Sequence, residues 1–408
     1  MKYFLSRDTV LKCLEAPCVY HIKNDELYEL DEESFDFLKR CSESGLDAQS
    51  SEFTDYCLKE NILTKDRVTR RQPPLAQSSA PSLRYLELQI TNKCNLSCRH
   101  CYINLPLSRG KRRSNRQKSR GFSGRSHSEL PVGQVSNLLE EFEQMQGLRV
   151  LITGGEPLLH SRFEEINQML PQFFFRKVLF TNGVLLDKKR IKNLHVDEIQ
   201  ISIDGFETAH DSLRGKGTYS AAMKAVRYSL DYGFHVSIAT MVHPKNLKDF
   251  DEMDSLFKGM GIKEWTVDIP CISGRLEENK DFQVTPETGG RYLKYGYGGG
   301  LHTSTPGFAC GLHLMAVLAD GKIAKCAFYS DNAVGRVEDG LRECWQRIRP
   351  VRIADLKCDC EYIESCRGGC RYRAGLLGNP LGKDLYRCAF YDLMPRECHR
   401  QQCCAPPT

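Results

Sequence analysis

No run of this 408-residue chain approaches the roughly 18 consecutive apolar residues that a membrane-spanning helix requires. The first residues also lack the form of a secretory signal, because Asp8, Lys12 and Glu15 break up the apolar positions of 1–19. Disulfide scaffolds are mostly short secreted chains, so 19 cysteines at this length do not fit that class. These absences argue against an integral membrane protein and a small extracellular module. The expectation is a cytoplasmic chain, with no membrane partner, whose cysteines mostly hold metal. Its length predicts two or three domains.

A general basic surplus is also missing. Formal charge is +5, and the run 108–127 alone holds eight Lys or Arg and no acid. The remainder is therefore slightly acidic, at −3. That run is rich in Ser, Gly and Arg and too poor in apolar residues to bury itself, which reads as a disordered insertion. A solvated insertion without a partner is the favoured reading, and electrostatic contact with nucleic acid or an acidic peptide is the other. Nucleic acid is not an expected partner of the chain on that run alone.

What the chain does have is Cys94, Cys98 and Cys101, a C-x3-C-x2-C loop directly after an apolar segment. Four-iron clusters normally take four thiolates, so three leave one iron open to an outside ligand. An open metal position is what a metal catalyst needs. The competing readings are a zinc knuckle or buried free thiols. Zinc sites favour a C-x2-C pair followed by a second pair, and none lies near. Two later segments bear on the choice. Gly154, Gly155, Glu156 and Pro157 form a turn at the end of an apolar run, where missing Cβ atoms permit close approach to a ligand. A carboxylate at Glu156 is suited to accept hydrogen bonds from an ammonium group. The strand-like run 199–203 then leads through Ser202 and Asp204 to an Arg-Gly-x-Gly sequence beginning at Arg214.

Together these motifs resemble the radical SAM superfamily. The resemblance implies that Cys94, Cys98 and Cys101 hold a [4Fe-4S] cluster whose open iron is chelated by S-adenosylmethionine. One electron then splits the sulfonium to a 5′-deoxyadenosyl radical. It further implies cofactor contacts from Gly154, Gly155, Glu156, Pro157, Ser202, Asp204 and Arg214. His100 stands where the family usually carries an aromatic ring. A turn cap at Asp204 and a solvated loop charge at Arg214 are the alternatives. No catalytic acid or base is assigned.

Residues 84–272 alternate short apolar strands, at 85–90, 150–153, 178–180, 199–203, 236–240 and 265–269, with segments of helical period. That order predicts a parallel sheet curved into a partial barrel, with ligands at the carboxyl ends of the strands. Every motif above falls at such an end. The fold class expected is α/β, and it matches the partial (β/α)6 radical SAM barrel.

The carboxyl quarter carries its own cysteine spacing: Cys310-x10-Gly321-x4-Cys326, then Cys358, Cys360, Cys366, Cys370 and, after 17 residues, Cys388. This resembles the SPASM extension, which implies two auxiliary [4Fe-4S] clusters. Cys310, Cys326 and Cys370 would hold the first, and Cys358, Cys360, Cys366 and Cys388 the second. The family has two residues where one separates Cys358 from Cys360, so Cys358 is the least secure ligand. Some members supply a further cysteine six residues before the Cys310 position, and here that residue is Ser304. A zinc site built from four of these cysteines is the poorer alternative. Cys271 follows the sixth strand, and either the site or the core is open to it. Cys13, Cys18, Cys41, Cys57 and Cys344 read as core thiols, and Cys398, Cys403 and Cys404 lie in a short tail.

The full division expected is a leading unit at 1–65, a linker at 66–83, the barrel at 84–272, a connection at 273–300, the SPASM region at 301–395 and a tail at 396–408. The leading unit reads as a hairpin at 19–30, turning at Asn24-Asp25, then a helix capped by Asp31 and a second helix at 53–59. It is a small α+β, winged-helix-like module and resembles the peptide-recognition modules of peptide-modifying radical SAM enzymes. Those capture a leader peptide as an added strand. The resemblance therefore implies a precursor peptide as substrate, crosslinked through a thioether or carbon–carbon bond, with a flavodoxin or ferredoxin as reductant. Formylglycine formation in sulfatases is the first alternative. Its enzymes carry an Asp directly after the cysteine of G-x4-C, where this chain has Ala327. Modification of a tetrapyrrole is the second, and a non-catalytic iron–sulfur carrier the last.

Overall fold

The computed structural model describes residues 1–103, 128–298, 300 and 306–393. The basic run 108–127, Ser304 and the three tail cysteines lie outside the described residues.

The leading unit contains β1 (Lys2–Leu5), β2 (Thr9–Cys13), β3 (Pro17–His21), β4 (Glu26–Glu29), α1 (Glu32–Glu43), β5 (Leu46–Asp47), α2 (Glu52–Lys59) and β6 (Leu63–Thr64). β3 and β4 form the expected hairpin, and Asp25 in its turn takes a φ of 62°, a left-handed value that Asp tolerates better than most residues. Asp31 caps α1 by accepting from Ser34 N at 2.7 Å. The short strands were not expected. β2 completes a three-stranded sheet with the hairpin, and β1 pairs with both β5 and β6. Tyr3, Leu5, Leu11, Val19, Leu38, Cys41 and Cys57 fill the core between these sheets and the helices.

The barrel follows as β7 (Tyr85–Thr91), α3 (Val132–Gln144), β8 (Arg149–Gly154), α4 (Phe163–Met169), β9 (Arg176–Thr181), α5 (Lys188–Lys192), β10 (Glu198–Ser202), α6 (Glu207–Arg214), α7 (Thr218–Asp231), β11 (His235–Met241), α8 (Phe250–Gly259) and β12 (Glu264–Asp268). All six strands run parallel in chain order. Successive residues of a strand face opposite ways. Leu86, Leu88 and Ile90 join Val135, Leu138, Leu139 and Phe142 of α3 in the main core. Glu87, Gln89 and Thr91 therefore point to the opposite face of the sheet.

The carboxyl region adds α9 (Pro286–Leu293), β13 (Leu314–Val317), β14 (Lys322–Ala324), β15 (Gly335–Arg336), α10 (Leu341–Arg347), α11 (Ile363–Cys366), α12 (Arg371–Leu376) and α13 (Leu385–Phe390). It is not a separate sheet. β13 pairs parallel with β7, and β14 and β15 continue antiparallel, giving nine strands in all among the described residues.

The leading unit is bound to the amino-terminal ends of the barrel strands. Arg149 opens β8 and pairs with Asp25, and Arg176 opens β9 and donates to Ile22 O and Lys23 O, each at 2.8 Å. Arg84 reaches Glu15 at 2.7 Å. Residues 66–83 are held in the same contact, with Ser82 N on Glu15 at 2.7 Å and Ser78 N on Cys13 O at 2.9 Å. Lys12 is 1% exposed and donates to Gly147 O at 2.8 Å and Phe174 O at 3.0 Å. Burial pulls its ammonium down to about 7 from 10.5, against the pull of Glu143. Between those two values the unfolded chain binds the extra proton, so stability should rise with pH and flatten near the upper end. The difference in melting temperature between wild type and Lys12→Met should therefore shift in favour of the wild type from pH 7 to pH 9, whatever the buried thiols common to both contribute. Parallel curves for the two proteins would refute this.

Candidate functional site

Chain direction brings the motifs together, because each follows the carboxyl end of a parallel strand. β7 ends at Thr91, and the cysteine loop folds across the neighbouring Gly154-Gly155 turn. Gly155 N donates to Thr91 O at 2.8 Å, and Glu156 N to Lys93 O at 2.7 Å. A Cβ on Gly154 would lie 2.1 Å from Thr91 O, and one on Gly155 would lie 2.3 Å from Lys93 O. Gly154 also holds a φ of 141°. The two glycines thus admit the loop's own backbone.

The same loop is anchored on three more sides. Asn182, after β9, donates to Asn95 Oδ1 at 2.8 Å. Arg99 N donates to Leu213 O of α6 at 2.9 Å, and Arg275 N to Cys101 O at 3.0 Å. The thiols of Cys94, Cys98 and Cys101 are electrostatic neighbours. Burial pushes Cys94 up to about 12 and Cys101 up to about 11. Cys98 is raised by burial too, with Arg214 and Arg275 pulling the other way. Leu96 N donates to the Cys94 sulfur at 3.4 Å.

Glu156 is fully buried, and its carboxylate is already engaged. It accepts from Thr181 Oγ1 at 2.8 Å, Asn182 N at 2.9 Å and Leu158 N at 3.3 Å. Burial raises it to about 7, and these hydrogen bonds hold it lower than burial alone would. Its geometry braces the β8 and β9 turns against each other. Pro157 is buried behind it at the start of a short 3-10 turn.

Asp204 is neither a turn cap nor solvated. It is fully buried and pairs with Arg214, and its other oxygen accepts from Met241 N at 2.6 Å. Burial alone would raise its carboxyl, but Arg214, then His100 and His210, keep it well below the usual carboxylate range. Two histidines also grip its backbone: Asp204 N meets His210 Nδ1 at 3.0 Å, and Asp204 O meets His243 Nε2 at 3.1 Å. Arg214 is thereby fixed as a buried cation beside Cys98. His100 is held neutral, down to about 3, by burial and by Arg214. Ser202 is half-buried at the end of β10. Reasoning from sequence missed His210 and His243; only their places shortly after β10 and β11 hint at them.

The later cysteines fall into two sets. Cys358 is hydrogen-bonded to Cys360, and Cys366 and Cys388 are electrostatic neighbours of Cys358. The shortened spacing therefore does not separate Cys358 from that set. Cys326 neighbours Cys310 and Cys370, and Cys271 joins them through a hydrogen bond to Cys370. Among the described residues, no three His, Cys, Asp or Glu side chains gather tightly enough for a single metal ion. A four-iron cube needs less convergence, since each thiolate binds a different iron. Thiols in separate sets, half-buried except for the exposed Cys310 and the buried Cys271, with backbone N–H groups and arginines alongside, fit such cubes.

A cavity of about 340 Å³ opens beside the cysteine loop, lined in part by Gln89, Asn92, Tyr102, Lys322 and Ala327. An aromatic bridge borders it: Tyr102 packs on Phe328 at 4.6 Å, and Phe328 on Tyr372 at 5.2 Å.

Six parallel strands with a three-cysteine loop at their carboxyl ends define a radical SAM barrel. Residues 88–257 match the family model described as Radical SAM superfamily, so this part of the chain is a radical SAM domain and the chain is a radical SAM enzyme. The family implies a four-iron cluster carrying S-adenosylmethionine. Mycofactocin maturase MftC of Mycolicibacterium smegmatis is 27% identical over 335 residues, covering 72% of this chain and 80% of the relative. An AdoMet-dependent heme synthase of Oleidesulfovibrio alaskensis is 23% identical over 350 residues, covering 74% and 86%. Streptococcus suis SuiB bound to its precursor peptide SuiA superposes with a TM-score of 0.63 at 15% identity, over 94% of this chain and 98% of SuiB. That last likeness is one of fold.

Proposed function

We propose that this enzyme modifies a ribosomally made peptide by abstracting hydrogen from carbon, forming a thioether or carbon–carbon crosslink in a reducing, cytoplasmic setting. Cys94, Cys98 and Cys101 would hold the catalytic cluster, and Ser202 and the Asp204–Arg214 pair stand at the carboxyl end of β10, with Arg214 beside Cys98. When bound, the cluster and S-adenosylmethionine supply a 5′-deoxyadenosyl radical. The protein's part is placement. Gly154 and Gly155 let the loop lie flat, Glu156 locks the turn beneath it, and Arg214 keeps a fixed positive charge at Cys98. Cys310, Cys326 and Cys370 would hold one auxiliary cluster, and Cys358, Cys360, Cys366 and Cys388 a second. A flavodoxin or ferredoxin would serve as electron donor. Anaerobic reconstitution should therefore yield roughly twelve irons, and C94A/C98A/C101A should keep about eight while losing 5′-deoxyadenosine release. Stoichiometric zinc without labile sulfide would end this reading.

The observation carrying the peptide substrate is the free edge of β4, which pairs only with β3 among the described residues. An extended peptide can add there as a strand. Tyr28 of β4 meets Tyr56 of α2 edge-on at 6.4 Å, and Tyr56 is 47% exposed, an apolar rim beside that edge. Glu26 and Glu29 give it negative charge. A basic leader should bind about tenfold more weakly to Tyr56→Ala and to Glu29→Lys, and the wild-type affinity should fall as salt rises. Titration calorimetry with the precursor reads this. Unchanged affinity in both variants would remove the recognition role and favour the second reading, a tetrapyrrole substrate, which rests on the heme synthase relatives.

A further inference from the structure

We propose that Cys271 is the fourth thiolate of the first auxiliary cluster, completing Cys310, Cys326 and Cys370. This rests on the auxiliary-cluster reading above and adds to it a ligand from the barrel itself.

Cys271 lies three residues beyond β12, at the same end of the sheet as the catalytic cysteine loop. It is 5% exposed, yet it belongs to none of the hydrophobic core clusters. Cys41, Cys57, Cys18 and Cys344 are also buried, and each sits within such a cluster. A thiol that is hidden but not packed among apolar side chains has other neighbours. Here they are the Cys370 thiol, to which it is hydrogen-bonded, and the charged pair Arg373 and Asp268.

The backbone around it is clamped to both sides. Arg373, three residues after Cys370, reaches back to Asp268 Oδ1 at 2.6 Å and Ile269 O at 3.4 Å, just ahead of Cys271. The same guanidinium holds Asp384 Oδ2 at 3.0 Å, and that carboxylate oxygen accepts from Cys370 N at 2.8 Å. Cys271 and Cys370 are thus fixed face to face by one buried arginine and two carboxylates. Backbone N–H groups already point at the other sulfurs: Arg371 N at Cys310, Phe328 N at Cys326 and Arg373 N at Cys370. Arg371 is 1% exposed, is an electrostatic neighbour of Cys310 and carries an Nη2 without a partner among the described residues. Buried cations and N–H donors around four sulfurs suit a group that becomes anionic when loaded.

A fourth thiolate has a functional consequence. With one thiolate on every iron, this cluster offers no open position, so a substrate does not ligate it. Its role is then limited to passing electrons or to structure.

The test uses the full-length chain reconstituted anaerobically, with Cys271→Ser, Cys271→Ala, Cys326→Ala and, as a buried control outside the set, Cys344→Ala. Iron, labile sulfide and the EPR spectrum of the reduced protein are read, with and without added 2-mercaptoethanol. With S-adenosylmethionine added to occupy the open iron of the catalytic cluster, the wild-type spectrum should not respond to the thiol. The Cys271 variants should either lose about four irons or keep them and acquire a spectrum that shifts with 2-mercaptoethanol. Cys326→Ala should lose about four irons, and Cys344→Ala none. Wild-type iron and a thiol-insensitive spectrum in both Cys271 variants, with iron lost in Cys326→Ala, would overturn the assignment and leave the cluster standing. Full iron in Cys326→Ala as well would overturn the auxiliary cluster itself.

Discussion

Replacing Gly155 by alanine should strip iron from the three-cysteine loop without touching a ligand. A Cβ there would sit 2.3 Å from Lys93 O and 2.8 Å from Asn92 O. Both obstacles are backbone, so no flexible side chain can swing aside. The loop between β7 and Cys94 must move, and with it the hydrogen bond from Glu156 N to Lys93 O. Three thiols that have to meet three corners of one cube do not tolerate such a shift. Expected is the loss of about four of roughly twelve irons, together with loss of 5′-deoxyadenosine release to background. Gly133→Ala is the control: it lies in α3 with nothing within 4 Å of the added Cβ, and iron and cleavage should be unchanged. Iron analysis and chromatography of the cleavage product decide it. A Gly155→Ala protein with full iron and normal cleavage would mean that the loop is not seated on this turn in solution.

Removing residues 1–65 should unfold the barrel, not merely blunt peptide binding. The unit supplies Asp25 to Arg149, Glu15 to Arg84 and two carbonyls to Arg176, which is fully buried. Truncation would also bare Leu148, which packs with Val10, Leu14, Cys18, Tyr20 and Ile22. A buried charge that loses its partner typically costs about 3–5 kcal/mol. The smaller test is Asp25→Ala, which leaves Arg149, only 8% exposed, without that carboxylate. A loss of about that size is expected in urea unfolding of the metal-free protein. The double variant Asp25→Ala with Arg149→Met should recover part of it, because the stranded charge is gone. An Asp25→Ala midpoint within error of wild type would show that the interface is not a source of stability. Peptide recognition is therefore better probed by substitutions on the β4 edge than by deletion.

Much of the fold was legible because local signals agreed. The six barrel strands are apolar runs closed by glycine or polar turns, and helix-period segments separate them. β13 escaped because it is four residues long and its partner β7 lies far away in sequence. The strands β1, β2, β5 and β6 escaped for the same reason, being two to five residues each. At the site, cysteine spacing was readable, since ligand spacing is a local property. The occupation of Glu156 by Thr181 and Asn182 was not, because those partners arrive on another strand. A turn cap stayed open as the alternative for Asp204, because the partners that bury it, His210, Arg214 and Met241, come from later in the chain. Cys271 stayed ambiguous because its neighbour Cys370 is 99 positions away in the chain.

The leading unit sits at the amino-terminal ends of the barrel strands, while the cysteine loop lies at the opposite ends. Strands of five to seven residues at about 3.3 Å each put roughly 20 Å between those ends. A peptide gripped at β4 must cover that height and pass around a helix layer about 10 Å thick. Fully extended chain advances at most about 3.3–3.6 Å per residue, so the stretch from gripped segment to reacting residue needs at least about nine residues. The enzyme would then act as a ruler. It would ignore side chains too near the gripped segment whatever their chemistry, and precursors shortened in that stretch would bind normally and remain unmodified.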